Sequence, residues 1–236
     1  MKIDLNNIYN LDCNEALEDI EKLDETNVGG VCIVTDPPYN VGYHYDDYED
    51  NMNEDDYFSM LKNLIGKRPA VIIHYPEALH KLSICIGRSP DRVISWVYSS
   101  NTARQHRDIA FYGIKPDFTK CPQPYKNEND KRIQERIALG KTCKMYDWFE
   151  CDQIKNVQKE KLNIDHPCII PFDVMDKVIK LIPSHLVVID PFCGTGTTCI
   201  AAAKNGRNFV GFEKSPKYYS LARRRFAEET AQMSLF

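Results

Sequence analysis

No apolar stretch in the sequence approaches the roughly 20 residues that a membrane-spanning helix requires, so no membrane partner is expected. Met1 to Asn10 lack a basic segment followed by an apolar core, and no signal peptide is read there. The nine cysteines form no CxxC pair and no regular framework, and Cys32, Cys85 and Cys199 sit inside apolar segments. Reduced, buried thiols in a cytosolic protein are the expectation. The six histidines are scattered, and none pairs with a cysteine at zinc-ligand spacing, so no metal is expected.

Basic residues are scarce at the start of the chain. Residues 1–60 carry 16 acidic and 2 basic side chains, whereas residues 101–161 carry 13 basic and 9 acidic. The formal net charge of −4 argues against a nucleic-acid partner for the chain as a whole. Screening, however, confines a charge's reach to about 8–10 Å at physiological salt, so a local basic surface can still meet phosphates. The bland reading of that segment is an ordinary solvated surface.

What is present suits one large α/β domain with an inserted subdomain: 236 residues, 43% of them hydrophobic. Asn7 to Leu11 reads as a short strand ending at Asp12 and Cys13, followed by an Asn14 cap and a helix over Glu15–Leu23. Gly29 and Gly30 break the chain before a buried strand, Val31 to Val34, which runs into Asp36, Pro37, Pro38 and Tyr39. A polar, acidic, tyrosine-rich stretch follows over residues 40–57, long enough to be a substrate loop or a plain mobile one. A helix over Glu54–Leu64, a strand over Ala70–His74, a helix over Pro76–Ile86 and a strand over Arg92–Tyr98 predict a doubly wound sheet.

From Asn101 to Leu162 that alternation fails, and prolines, charges and aromatics interleave. The stretch reads as an insertion rather than a sheet layer, and lysine or arginine mixed with aromatics suits nucleic-acid contact. Regularity returns with a helix over Phe172–Ile182 and a strand over Leu186–Ile189 ending at Asp190. Next come Pro191, Phe192, Cys193, Gly194, Thr195, Gly196 and Thr197, and a small-residue helix over Cys199–Asn205. A strand over Asn208–Phe212 ends at Glu213, and Pro216 starts a last helix through Arg225 whose arginines are expected in solvent.

Two stretches carry chemistry. Proline fixes φ and lacks an N–H, so Asp36 to Tyr39 form a stiff acceptor cluster beside an aromatic ring, fit to hold a flat molecule with an amino group. The strand, Gly-x-Gly turn and helix at 186–205 form a nucleotide-type pocket, in which glycines admit close approach and the helix N-terminus offers free N–H groups. Glu213, 19 residues beyond Gly194, suits ribose hydroxyls. The third glycine of a dinucleotide fingerprint is replaced by Cys199, which favours a nucleoside with an uncharged or zwitterionic tail.

Asp190, Pro191, Phe192, Gly194, Gly196 and Thr197 resemble the S-adenosyl-L-methionine (AdoMet) motif of DNA amino-methyltransferases, and Asp36, Pro37, Pro38 and Tyr39 resemble their catalytic motif. Asp12 and Cys13 resemble a third element, which contacts the cofactor's adenine in that family. The catalytic motif precedes the cofactor motif with a basic segment between, an order that resembles the beta class. The resemblance covers nearly the whole chain. It implies a Rossmann-like AdoMet-dependent methyltransferase fold, α/β, circularly permuted, with a mixed, mostly parallel sheet and helices on both faces. The permutation is also read from the order of elements, since the helix after the Glu213 strand would lead into the Asn7 strand in the unpermuted fold. Residues 1–100 and 162–236 are expected to form the catalytic and AdoMet-binding domain, and 101–161 the inserted target-recognition region.

The resemblance further implies AdoMet as cofactor, held by Asp12, Cys13, Asp36, His166, Asp190, Phe192, Gly194, Gly196, Thr197 and Glu213. His166, Pro167, Cys168, Ile169, Ile170 and Pro171 resemble the family's His-Pro segment, although Ile170 stands where a lysine is usual. It implies direct attack by the exocyclic amine of a flipped adenine, with Asp36 and the Pro37 carbonyl accepting its N–H bonds and Tyr39 stacking on the ring. DNA is the expected partner through Arg104, Arg107, Lys131 and Arg132. A homodimer is allowed for, and a bacterial or phage-infected cytoplasm is the expected setting. Cytosine-N4 methylation is the alternative, though serine more often opens that group's motif. An RNA methyltransferase, a non-catalytic DNA-binding protein, a cytosine-C5 enzyme using Cys168 and an NAD-dependent oxidoreductase fit the paired motifs less well.

Overall fold

The computed structural model describes residues 3–26, 29–42, 44–45, 48–154 and 168–231. Its centre is set by two apolar runs without a polar alternation, β2 (Val31–Thr35) and β5 (Ala70–His74). Every residue of both is buried. Only a strand covered on both faces tolerates such a pattern. They pair in parallel, Ile33 against Ala70 and Thr35 against Ile72.

Around them an eight-stranded sheet runs in the order β1-β10-β9-β2-β5-β7-β6-β8. The other strands are β1 (Asn7–Tyr9), β6 (Arg92–Val97), β7 (His106–Tyr112), β8 (Trp148–Glu150), β9 (Val187–Asp190) and β10 (Phe209–Phe212). Two-residue strands β3 (His44–Tyr45) and β4 (Tyr48–Glu49) form a separate hairpin. Among the described strands of the eight-stranded sheet, β7 alone runs against its neighbours. From β9 the chain moves outward through β10 on one side, and from β2 through β5 on the other. The β9–β2 seam, aligned Ile189 to Ile33, is therefore the topological switch point, where a crevice opens beyond the carboxyl ends of the strands.

Helices cover both faces. The side chains of α1 (Leu17–Thr26), α2 (Glu54–Ile65) and α3 (Pro76–Ile86) bury Ile20, Phe58, Leu61, Leu79 and Leu82 with Val31, Ile33 and Ile72. On the other face α5 (Phe172–Leu181), α6 (Thr197–Lys204) and α7 (Pro216–Ala231) bury Val174, Val178, Ala201 and Ala222 with Val34, Val71 and Val188. The helix α4 (Lys131–Ala138) buries none of its residues. Arg207 closes the end of α5, its guanidinium donating to the carbonyls of Ile179 at 3.1 Å and Ile182 at 3.3 Å. The permuted order is visible as adjacency. Helix α7, which follows β10, lies against β1, where Arg223 Nη1 donates to Asn7 Oδ1 over 2.9 Å.

One expectation is corrected. Within the stretch expected as an insertion, 101–161, the described residues 101–154 do not stand apart from the sheet, because β7 lies between β5 and β6, and β8 forms the edge. Ile109, Ala110, Phe111 and Tyr112 are fully buried there. The polar side chains that precede them in the sequence, Arg107 and Asp108, hid this apolar run. Between β7 and β8, Ile114 and Met145 still join the core, and it is α4 that buries nothing. Among the described residues, no helix is long and apolar enough to cross a membrane.

Candidate active site

The carboxyl ends of β9, β10 and β1 border one side of a cavity of about 440 Å³, and those of β2 and β5 border the other. Asp12, Cys13, Asp190, Phe192, Gly194, Thr197 and Glu213 line it together with Asp36, Pro37, Pro38 and Tyr39. The two sequence motifs, more than 150 positions apart in the chain, thus face one space.

On the glycine side, the turn is held from three directions. Gly194 and Gly196 take φ of 52° and 79°, and a side chain on Gly196 would meet Ala222 Cβ at 3.2 Å. Glycine is required here both for its backbone freedom and for the approach of α7. The Glu213 carboxylate accepts from Gly194 N at 2.9 Å and from Ser215 N at 2.8 Å, tying the turn after β9 to the turn after β10. Arg225, expected in solvent, instead reaches back from α7. Its Nη1 donates to the Thr195 carbonyl at 2.8 Å and to Thr195 Oγ1 at 2.7 Å, and lies 3.3 Å from Thr197 Oγ1.

Asp190 is buried and accepts from Thr35 Oγ1 at 2.7 Å and Phe192 N at 3.1 Å. Burial pushes its carboxyl up to about 6, against the pull of the Thr198 and Thr35 hydroxyls. It links β9 to β2 and fixes the start of the turn. Asp12 differs. Burial raises its carboxyl, but the Asn14 N–H and the Lys214 ammonium, 3.1 Å away, outweigh that and hold it below its ordinary value. Burial pushes the neighbouring Cys13 thiol up to about 12, so it stays a neutral wall group. Cys32 and Cys199 are buried, while Cys85 is half-buried. His166 lies outside the described residues.

The tetrapeptide side is a connected aromatic and polar network. Tyr39 donates its hydroxyl to Asp36 Oδ1. Its ring stacks on the His74 imidazole with centroids 4.2 Å apart, and meets Tyr75 edge-on at 4.7 Å. The ring expected to meet a base is thus packed against protein in this structure. His74 is buried; burial first, then the nearby Arg107 and Arg104 charges, push it down to about 3, so it is neutral. The Tyr75 N–H donates to its Nδ1 over 2.7 Å, which leaves the proton on Nε2, 3.0 Å from the Tyr57 hydroxyl. Tyr57 in turn donates to the Pro38 carbonyl over 2.7 Å. That carbonyl is engaged, whereas no described residue donates to the Pro37 carbonyl. Past Tyr39, Asn40 N and Val41 N donate to the buried Asp50 carboxylate at 2.7 and 3.0 Å, which folds the acidic loop back on itself.

The four basic residues expected on a DNA face sit in different settings. Lys131 and Arg132 are exposed on α4, where Asp130 caps the helix by accepting from Arg132 N. Arg104 is exposed and stacks over Tyr75 at 3.8 Å, beside the cavity mouth. Arg107 is corrected: it is 6% exposed, and its Nη1 lies 3.6 Å from Asp36 Oδ2. It points inward because residues alternate across β7, and its neighbour Asp108 turns to Ser95 on the other face. Tyr57, His74 and Arg225 were missed as contributors to the site. Each acts through a tertiary contact that the sequence does not display.

Among solved structures, the M1.HpyAVI–SAM complex matches with a TM-score of 0.60 and 20% identity, covering 93% of this chain and 98% of that one. The cytosine-N4-specific PvuII DNA methyltransferase matches with a TM-score of 0.61 and 14% identity, covering 98% and 93%. The fold is therefore the Rossmann-like fold of AdoMet-dependent DNA methyltransferases. Type II methyltransferase M.HpaI of Haemophilus parainfluenzae is 22% identical over 241 residues, spanning 92% of this chain and 74% of its own length. The N6/N4 DNA methylase family model matches residues 31–224, and the chain belongs to that family.

Proposed function

We propose that the protein transfers a methyl group from AdoMet to adenine N6 in DNA. One observation carries the reading: the Asp36 carboxylate and the unengaged Pro37 carbonyl open onto the same cavity as the Gly194–Glu213 turn. The residues fit the cofactor. Gly194 at positive φ brings backbone to the cavity while Gly196 lets α7 approach behind it, Phe192 gives an apolar wall, and Asp12 and Glu213 flank it with carboxylates suited to a nucleoside. The two Glu213 oxygens accept from the Gly194 and Ser215 N–H groups, which holds the carboxylate at the cavity wall, and a carboxylate there suits ribose hydroxyls. Bound there, AdoMet supplies an electrophilic methyl on its sulfonium.

The chain's own residues orient the nucleophile. The lone pair of an exocyclic amine is delocalised into its ring, so the amine attacks poorly. Asp36 and the Pro37 carbonyl accept one N–H bond each and favour a more pyramidal nitrogen. The base must leave the duplex, at a cost of about a few kcal/mol that the pocket's stacking and hydrogen bonds offset. As the amine arrives it replaces the Tyr39 hydroxyl as donor to Asp36, and Tyr39 is freed to hold the ring. Alignment of nitrogen and methyl supplies much of the remaining acceleration. Adenine is favoured over cytosine because the tetrapeptide opens on Asp36. Arg104 at the mouth, with Lys131 and Arg132 on α4, gives the cationic contacts to DNA, and the length between β7 and β8 selects the sequence.

Labelled AdoMet and unmethylated DNA test this directly. The protein should label DNA, and Asp36→Ala should lose transfer while still binding AdoMet. Full activity in that variant contradicts the mechanism, and label on RNA or protein alone contradicts the DNA substrate.

A further inference from the structure

Arg107 is a buried cation next to the residue that must accept the substrate's N–H bond. It enters from β7, opposite Trp96 in the register. Its guanidinium carbon lies 4.8 Å from the Tyr39 ring centroid and 5.3 Å from that of Trp96, with the Tyr75 and Tyr98 rings each at 6.0 Å. Its Nη2 donates to Cys168 Sγ at 3.6 Å, and its Nε has no hydrogen-bond partner among the described residues. The carboxylate paired with it is Asp36. A guanidinium enclosed by rings and largely dry is costly unless it answers a specific anion.

We propose that Arg107 is the counter-ion that keeps Asp36 an ionised acceptor for the substrate amine, a positioning residue that acts through Asp36. This rests on the methyltransferase reading of the same site. The groups around Asp36 explain why a counter-ion is needed. The Asp190 carboxylate at the end of β9 is a like charge, burial holds the Tyr39 hydroxyl neutral, and the Cys168 sulfur faces Arg107 rather than Asp36. His74, behind Tyr39, is neutral too, and Arg104 is exposed and paired with Glu77 at 3.1 Å. Burial outweighs the other influences and leaves the Asp36 carboxyl above its ordinary value, and the largest pull against that rise is the Arg107 charge, followed by the Tyr39 hydrogen bond. A protonated Asp36 would turn one oxygen into a donor and leave the other a weaker, uncharged acceptor, so its hold on the amine N–H beside the Pro37 carbonyl would be weakened.

The test is a carbon-13 carboxyl NMR titration of Asp36 in the full chain, with the signal assigned by Asp36→Asn. In Arg107→Met the Asp36 titration should move up by about one pH unit or more, because an opposite charge at this range has been removed. Arg107→Lys should fall between that variant and the parent, and AdoMet affinity should be unchanged in both. The acid limb of the kcat profile should move up in step. Coincident Asp36 titrations in the parent and Arg107→Met, or equal behaviour of the Lys and Met variants, would overturn the proposal. Should Arg107→Met fold poorly, melting temperatures decide. Asp36→Asn should lower stability by stranding the cation, and Asp36→Asn/Arg107→Met should recover most of that loss; additive losses would overturn the pairing. The titration needs no turnover. A shifted Asp36 in a protein that never labels DNA would therefore support the counter-ion and count against the DNA methylation reading alone.

Discussion

The Tyr57 hydroxyl, on α2, donates to the Pro38 carbonyl over 2.7 Å, and the His74 imidazole stands behind it. This bond decides which proline carbonyl is left for a substrate, since Pro38 is engaged and Pro37 is not. Tyr57→Phe keeps the buried ring and removes the bond. The expected loss of stability is about 1 kcal/mol. The expected fall in kcat is about tenfold or more, since small misplacements of an aligned nucleophile are costly. AdoMet affinity should stay at the parent value. Single-turnover methylation and calorimetric titration measure the two separately.

His74 makes an acid-side contribution to stability. Its folded value, about 3, lies below the ordinary 6.5, so the unfolded chain binds the proton first as pH falls. The stability it contributes is complete above about 6.5 and is lost as pH falls from there toward 3. In His74→Gln, urea midpoints measured from pH 7 to pH 4 should fall less steeply than in the parent. An identical slope would show that the imidazole is not held neutral.

Behind the glycine turn, a side chain on Gly211 would sit 2.6 Å from Cys199 Sγ and 3.2 Å from Cys193 Sγ. Gly211→Ala should therefore cost about 1–3 kcal/mol by overpacking. Adding Cys199→Ala should recover part of it, and thermal melts of the single and double variants check the coupling. AdoMet binding should weaken with Gly211→Ala, because Cys193 belongs to the cavity wall.

Neutralising Lys131 and Arg132 should weaken DNA binding about equally across sequences and reduce the salt slope by about one per lost phosphate contact. Fluorescence anisotropy over a salt series reads both effects. Arg107→Met should leave that slope unchanged, because the side chain is buried beside Asp36.

Much of the fold was legible because its central strands and helices carry strong local patterns. Ala70–His74 and Pro76–Ile86 were read to the residue, and α2 to within one. The two motifs were legible for a similar reason, since each sits where an apolar run stops at a carboxylate. Strand β7 was not, because Arg107 and Asp108 begin it and a basic, proline-containing neighbourhood surrounds it. Strand β8 has three residues, too few to show a period. Arg107 and Arg225 were both read as surface cations. A charged residue is usually solvated, and only the placement of Asp36 and the Thr195 turn reveals why these two are not. The Tyr57–His74–Pro38 relay joins three separate elements and leaves no mark in any one of them.

The most direct test of the account is the identity of the methylated base. DNA incubated with the protein and AdoMet, digested to nucleosides and analysed by mass spectrometry and chromatography, should contain N6-methyladenine, and it should disappear with Asp36→Ala. N4-methylcytosine in its place, or N6-methyladenine undiminished in that variant, would contradict it.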